Sequence, residues 1–130
     1  MKLPFQPSLI HSEFFSNHLH PMEINFGDCY KWAWIAHKLF NDVELWSHES
    51  HAFIKYRGKF YDSEMLDGTK NHRRLRTIKE SLGMFPSAVK MSPNEFIPYW
   101  GVYHQCDWNA LNAKINLVGQ SLVSNGKQFQ

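Results

Sequence analysis

The sequence predicts an α+β protein in which helices pack on a small, mostly antiparallel β-sheet. Three observations predict it. Apolar residues step by three and four over 29–40 and again over 108–122. An aromatic-rich segment brackets Arg57-Gly58 and reads as two strands joined by a two-residue turn. Helix start signals at Asp28, Ser92 and Asp107 flank that hairpin on both sides. The chain of 130 residues, 43% hydrophobic, fits one domain over 1–130 with a sizeable core.

From the N-terminus, PSLIHSEFFSNHLHP predicts a short helix from Ser8 to about Leu19, with Pro21 helping to end it. Gly27 turns the chain into a second helix, which Asp28 caps by accepting bonds from first-turn N–H groups. Cys29, Trp32, Ala33, Ala36 and Phe40 line one face of it, and Trp34 lies off that face, where it would line a cleft or a partner surface. VELW (43–46) predicts a strand, and 51–56 and 59–64 the hairpin. LDGTKN reads as a loop, HRRLRTIKESL as a basic helix ending at Gly83, and FPSAVKM as a short strand. Ser92-Pro93-Asn94-Glu95 is a capping box. Asp107 caps a final helix with Trp108, Leu111, Ile115, Val118 and Leu122 on its apolar stripe, ended by Asn125-Gly126. The catalytic-like core spans about 22–66 and the helical C-terminal part about 70–126.

Charge and composition narrow the function classes. A net charge of +2 is too small for a surface that binds nucleic acid all over. No run approaches the roughly 18 apolar residues of a membrane span, and no apolar leader is visible, which predicts a cytoplasmic protein. Two cysteines, Cys29 and Cys106, do not make a disulfide framework, so both are expected as free thiols. Arg73, Arg74 and Arg76 form a basic cluster, either a solvated helix face or a patch for an anionic partner. No aromatic residue is interleaved with these charges, which argues against binding of single-stranded nucleic acid.

The chemistry concentrates at Cys29, His51 and Asp62. A thiol attacks as thiolate, and a free cysteine titrates at about 8.5. A helix N-terminus and an imidazolium both favour the ionised form, although the Asp28 carboxylate beside Cys29 opposes it. In the predicted register His51 and Asp62 share a face, Asp62 diagonal to His51 and Glu64 directly opposite it. A carboxylate there would take the Nδ1–H and aim Nε2 at the sulfur. The backbone N–H of Cys29 is a natural oxyanion donor, and Asn25 is a candidate second one. Each residue also has an ordinary structural reading, as a buried thiol, a sheet histidine and a hairpin-end carboxylate. His11, His18 and His20, or Cys29 with His48 and His51, are alternative zinc sets, but neither has a metal-motif spacing, and neither metal nor cofactor is expected. Cys106 has only His104 near it in sequence and reads as a plain thiol.

GDCYKWA followed by SHAFIKYRGKFYDSE resembles the papain-like cysteine hydrolase superfamily, nearest its transglutaminase-like and NlpC/P60-like branches. The resemblance covers residues 25–66, about a third of the chain. It implies a minimal core in which a cysteine opens a helix packed on a sheet, with nucleophile Cys29, base Cys29's partner His51 and orienter Asp62. It also implies a thiol hydrolase or acyltransferase acting on a peptide, amide or isopeptide bond of a protein or peptide substrate. The alternative is a non-catalytic binding or inhibitor protein on the same fold, whose basic helix contacts a larger partner.

Overall fold

The helix Cys29–Leu39 is the element around which the others are layered. The computed structural model describes residues 2–16, 20–49, 51–81, 87–102 and 104–124. In chain order these form α1 (Ser8–Phe14), α2 (Pro21–Gly27), α3 (Cys29–Leu39), β1 (Glu44–His48), β2 (His51–Tyr56), β3 (Lys59–Asp62) and β4 (Met65–Thr69). A 3₁₀ turn (His72–Arg74), α4 (Arg76–Lys79), β5 (Val89–Met91), α5 (Pro93–Gly101) and α6 (Trp108–Ser124) follow. The five strands make one sheet in the order β4-β3-β2-β1-β5, every pair antiparallel. The α+β class read from the sequence is the class observed.

The β2–β3 hairpin sets the register of the sheet. Tyr56 pairs with Lys59, Lys55 with Phe60 and Ile54 with Tyr61 across the two-residue turn. Arg57 and Gly58 both have positive φ, 47° and 84°, as a turn of this hand requires. Alternation then sorts the side chains into two layers. Ala52, Ile54 and Tyr61 join the large core around α3, with Trp32, Ala33, Ala36 and Phe40. Phe53 and Phe60 point the other way, into a smaller cluster with Leu75 and Ile78.

Three elements depart from expectation. Pro21 does not end a helix but starts one: it is the first residue of α2, and the His20 Nδ1 accepts the Met22 N–H (3.3 Å) as the cap. Proline fits either place, because a first-turn N–H is unneeded. LDGT is not a loop but lies in the edge strand β4. The basic segment is not one helix: Leu75, between the 3₁₀ turn and α4, is extended because its side chain is buried in the smaller core. Helix α1 stops at Phe14. Residues 17–19, Gly83 and Asn125-Gly126, on which the other expected helix ends fall, lie outside the described residues.

The C-terminal signals form as expected. Ser92 Oγ accepts the Glu95 N–H (3.3 Å), and Glu95 Oε1 accepts the Ser92 N–H (2.9 Å). Asp107 Oδ1 accepts the Ala110 N–H at the start of α6 (3.0 Å). Helix α6 packs on α3, with Ile115 and Leu122 buried. This covers Trp34, which lies off the main apolar stripe of its helix. Trp34 is buried, donates from Nε1 to Asn112 Oδ1 (2.7 Å) and stacks on Phe96.

The register between β3 and β4 shifts between Phe60 and Asp62. Gly68, at φ 80°, lies in β4 beside that shift, and a Cβ there would meet the Tyr61 ring at 2.6 Å. Phe5 packs against that ring from another side, which limits its retreat. Gly68→Ala is expected to destabilise the fold by about 2 kcal/mol, from the disfavoured φ and the overlap together. Urea unfolding of the variant checks this, and an unchanged midpoint would contradict it.

Candidate active site

Cys29 is the first residue of α3, and the end of that helix abuts the start of β2. The Ala52 N–H donates to Cys29 Sγ at 3.5 Å. The sulfur thus lies against the backbone beside His51. Asp28 precedes it but does not cap α3 through its side chain. Its own N–H is bonded to Ile24 O as the last turn of α2 closes, at φ −119° and ψ 18°, outside the extended geometry that a capping side chain needs. Its carboxylate turns to Lys31 instead (3.6 Å), so part of the negative charge beside the thiol is compensated.

His51 opens β2 on the same face as Phe53, and its ring stacks on that of Phe53. Asp62, the last residue of β3, comes from the neighbouring strand on that face. Its Oδ2 lies 2.9 Å from His51 Nε2, and both side chains are sealed from solvent. The other carboxylate oxygen, Oδ1, accepts the Glu64 N–H (2.9 Å). Both oxygens are therefore committed, and the carboxylate cannot swing away from the ring without breaking a turn.

The ring is used the opposite way round from the expected one. The carboxylate takes Nε2, and Nδ1 makes no hydrogen bond among the described residues, so it is the nitrogen left to face the thiol. The reason is where the sulfur lies. Cys29 comes from the helix layer against the N–H of Ala52, the residue after His51, and lies near enough to the ring to raise the His51 pKa. Burial pulls the imidazole's pKa down, but the hydrogen bond to Asp62 and the adjacent Cys29 thiol outweigh it and carry His51 up to about 9. The imidazolium is then the resting form at neutral pH, a cation held beside the sulfur.

Glu64 does not face His51. Strand β3 ends at Asp62, and Ser63 and Glu64 turn the chain into β4. The Glu64 carboxylate instead receives two bonds from Arg76, Nε to Oε2 (3.0 Å) and Nη2 to Oε1 (2.9 Å). Arg76 also donates to Glu80 (2.9 Å), and its guanidinium lies over the ring of Phe26. It is a structural tie among α2, the β3–β4 turn and α4, and so leaves the expected patch for an anionic partner. Asn25, the expected second oxyanion donor, gives an amide N–H to Glu64 Oε1 (2.8 Å) and accepts from Ser63 Oγ at Oδ1 (2.8 Å). It fastens α2 to the turn behind Asp62 rather than standing open to a substrate.

Two contributors escaped the sequence reading. The Ala52 N–H carries no signal in its residue type, since only the seating of α3 on β2 brings it to the sulfur. Ser63 is buried and lies 2.7 Å from Pro21 O, binding the same turn to α2. The run Asp62-Ser63-Glu64 at a strand end was its one legible trace. Cys106 is half-buried, and burial pushes its thiol pKa up. His104, near it in sequence, stacks on Tyr30 (4.6 Å). Among the described residues no group of three or more His, Cys, Asp or Glu is arranged to hold a metal. His18 lies outside them. No helix among the described residues is long and apolar enough to cross a membrane.

No family profile matches the chain, and no similar curated protein or solved structure was found.

Proposed function

We propose that the chain is a thiol hydrolase or acyltransferase of papain-like design, acting on an amide or isopeptide bond of a protein or peptide. One observation carries this reading: the row Asp62–His51–Cys29, in which a buried carboxylate holds the far nitrogen of a histidine whose near nitrogen is left for a helix-opening thiol.

On this reading the site works by covalent catalysis. The Cys29 sulfur, as thiolate, attacks the carbonyl carbon and forms a C–S bond. Charge moves to the carbonyl oxygen, where the free first-turn N–H of Cys29 can receive it. The His51 Nδ1 proton passes to the leaving amine as the C–N bond breaks. The acyl-enzyme is then attacked by water or by a second amine, whose proton returns to His51. Asp62 touches no substrate atom; it keeps the ring charged and aimed. Water gives hydrolysis and an amine gives transfer.

An activated ester tests this without knowledge of the natural substrate. p-Nitrophenyl acetate is expected to release a burst of one p-nitrophenol per chain, leaving an acetyl group on Cys29 that peptide mapping locates. Cys29→Ala should abolish the burst. A burst that survives in Cys29→Ala, or acetylation shared equally by Cys29 and Cys106, would refute the assignment.

A further inference from the structure

The segment from Asn71 to Lys79 holds four cations, of which only one is neutralised. Arg76 takes both neighbouring carboxylates, Glu64 and Glu80. Arg73, Arg74 and Lys79 are exposed. All twelve acidic side chains of the chain lie among the described residues, and none of them pairs with these three. The three cations, with Asn71 and Met65, line a cavity of about 540 Å³ that has no carboxylate in its wall.

The arrangement is built rather than incidental. Asn71 Oδ1 accepts the Arg73 N–H (3.0 Å) and fixes the 3₁₀ turn. Leu75 and Ile78 are buried in the smaller core, which turns Arg73, Arg74 and Lys79 outward over Met65. Like charges gathered round a concavity raise its potential and draw in an anion. The same field reaches His72, whose pKa is lowered by burial first and by Arg73 next. Two planar guanidinium forks and an ammonium match phosphate oxygens better than single carboxylates. The space exceeds what one phosphate fills. No aromatic side chain among the described residues lines it, so these offer nothing for a base to stack on.

We propose that this cavity is a binding site for an anion carrying two or more phosphate groups, gripped by Arg73, Arg74 and Lys79. A free polyphosphate and a nucleic-acid backbone both present that chemistry. The site reads phosphates and not bases, and it stands whether or not Cys29 is a nucleophile.

Calorimetric titration of the full chain with inorganic pyrophosphate, and separately with short DNA and RNA oligonucleotides, tests it. At least one of these is expected to bind, and to weaken by about tenfold or more when salt rises from about 50 to 200 mM. The triple variant Arg73→Ala, Arg74→Ala, Lys79→Ala should bind at least about tenfold more weakly while keeping its circular dichroism. If it does not fold, the size-preserving pair Arg73→Gln and Arg74→Gln serves instead. Oligonucleotides that bind more tightly than pyrophosphate, regardless of sequence, identify a nucleic-acid backbone as the source; the reverse order identifies a free polyphosphate. No binding of either probe, binding unchanged in the variants, or a glutamate peptide bound as tightly would each overturn the proposal.

Discussion

In His51→Ala, alkylation of Cys29 by iodoacetamide at pH 6 is expected to fall by about 100-fold. The imidazole, raised to about 9 by Asp62 and the thiol against the pull of burial, is charged throughout the range from pH 5 to 8. It supplies a fixed cation beside the sulfur, and the Ala52 N–H adds a second donor. Removing the ring withdraws that cation from the sulfur. The rate on the variant should therefore fall furthest below the wild-type rate at the acidic end of that range. Cys106, whose thiol is pushed up by burial, serves as the internal control at low pH. Equal and slow reaction of both cysteines in the wild type, speeding up only above pH 8, would remove the catalytic reading. The acetyl burst should vanish with the same substitution.

Asp62→Asn should lower acyl transfer by about 10² to 10⁴-fold, because it spoils the proton order of the ring. Asp62 accepts at both oxygens, from His51 Nε2 and from the Glu64 N–H. An asparagine has one accepting oxygen. If that oxygen keeps the Glu64 bond, its NH₂ faces Nε2 and forces the ring proton onto Nδ1, where a neutral ring cannot take a proton from the thiol. If it keeps the ring, two donors confront each other at Glu64. The high-pH limb of the rate profile, expected near 9 in the wild type, should move down toward the ordinary histidine value of about 6.5. Stability follows the same linkage. A raised histidine pKa stabilises the fold fully below about 6.5, and that contribution is lost as pH rises through about 9. The stability gap between the wild type and Asp62→Asn should thus be widest between about pH 5 and 6.5 and narrow toward pH 9. A gap that does not change with pH would mean the pair is not ionised as described.

Local chemistry was legible wherever a few neighbouring residues decide the outcome. Arg57-Gly58, the Ser92 capping box and the apolar stripes of α3 and α6 each carry their own instruction, and each forms as read. The hairpin register alone brought Asp62 to the face of His51. What failed depends on partners distant in the chain. Pro21 permits an ending or a beginning, and only the seating of α2 beside α3 chooses. Strand β4 has few apolar side chains because it is an edge, so its pairing to β3 left no pattern. The break at Leu75 reflects burial against Phe53 and Phe60, which helical periodicity cannot register. Which imidazole nitrogen the carboxylate takes was unreadable for the same reason. It follows from how a helix end rests on a strand, and no residue type encodes that.

The turn at Arg57-Gly58 makes hairpin length a chemical variable for this protein. Most surface loops accept insertions at small cost. Here one added residue would slide β3 by a single step against β2 and exchange its two faces. Asp62 would then point toward Ile54 and the α3 layer, a lone carboxylate among hydrocarbons, and Tyr61 would take its place beside the imidazole. Descendants of this chain that retain the same pairing can drift in many places, but they must conserve the number of residues in that turn.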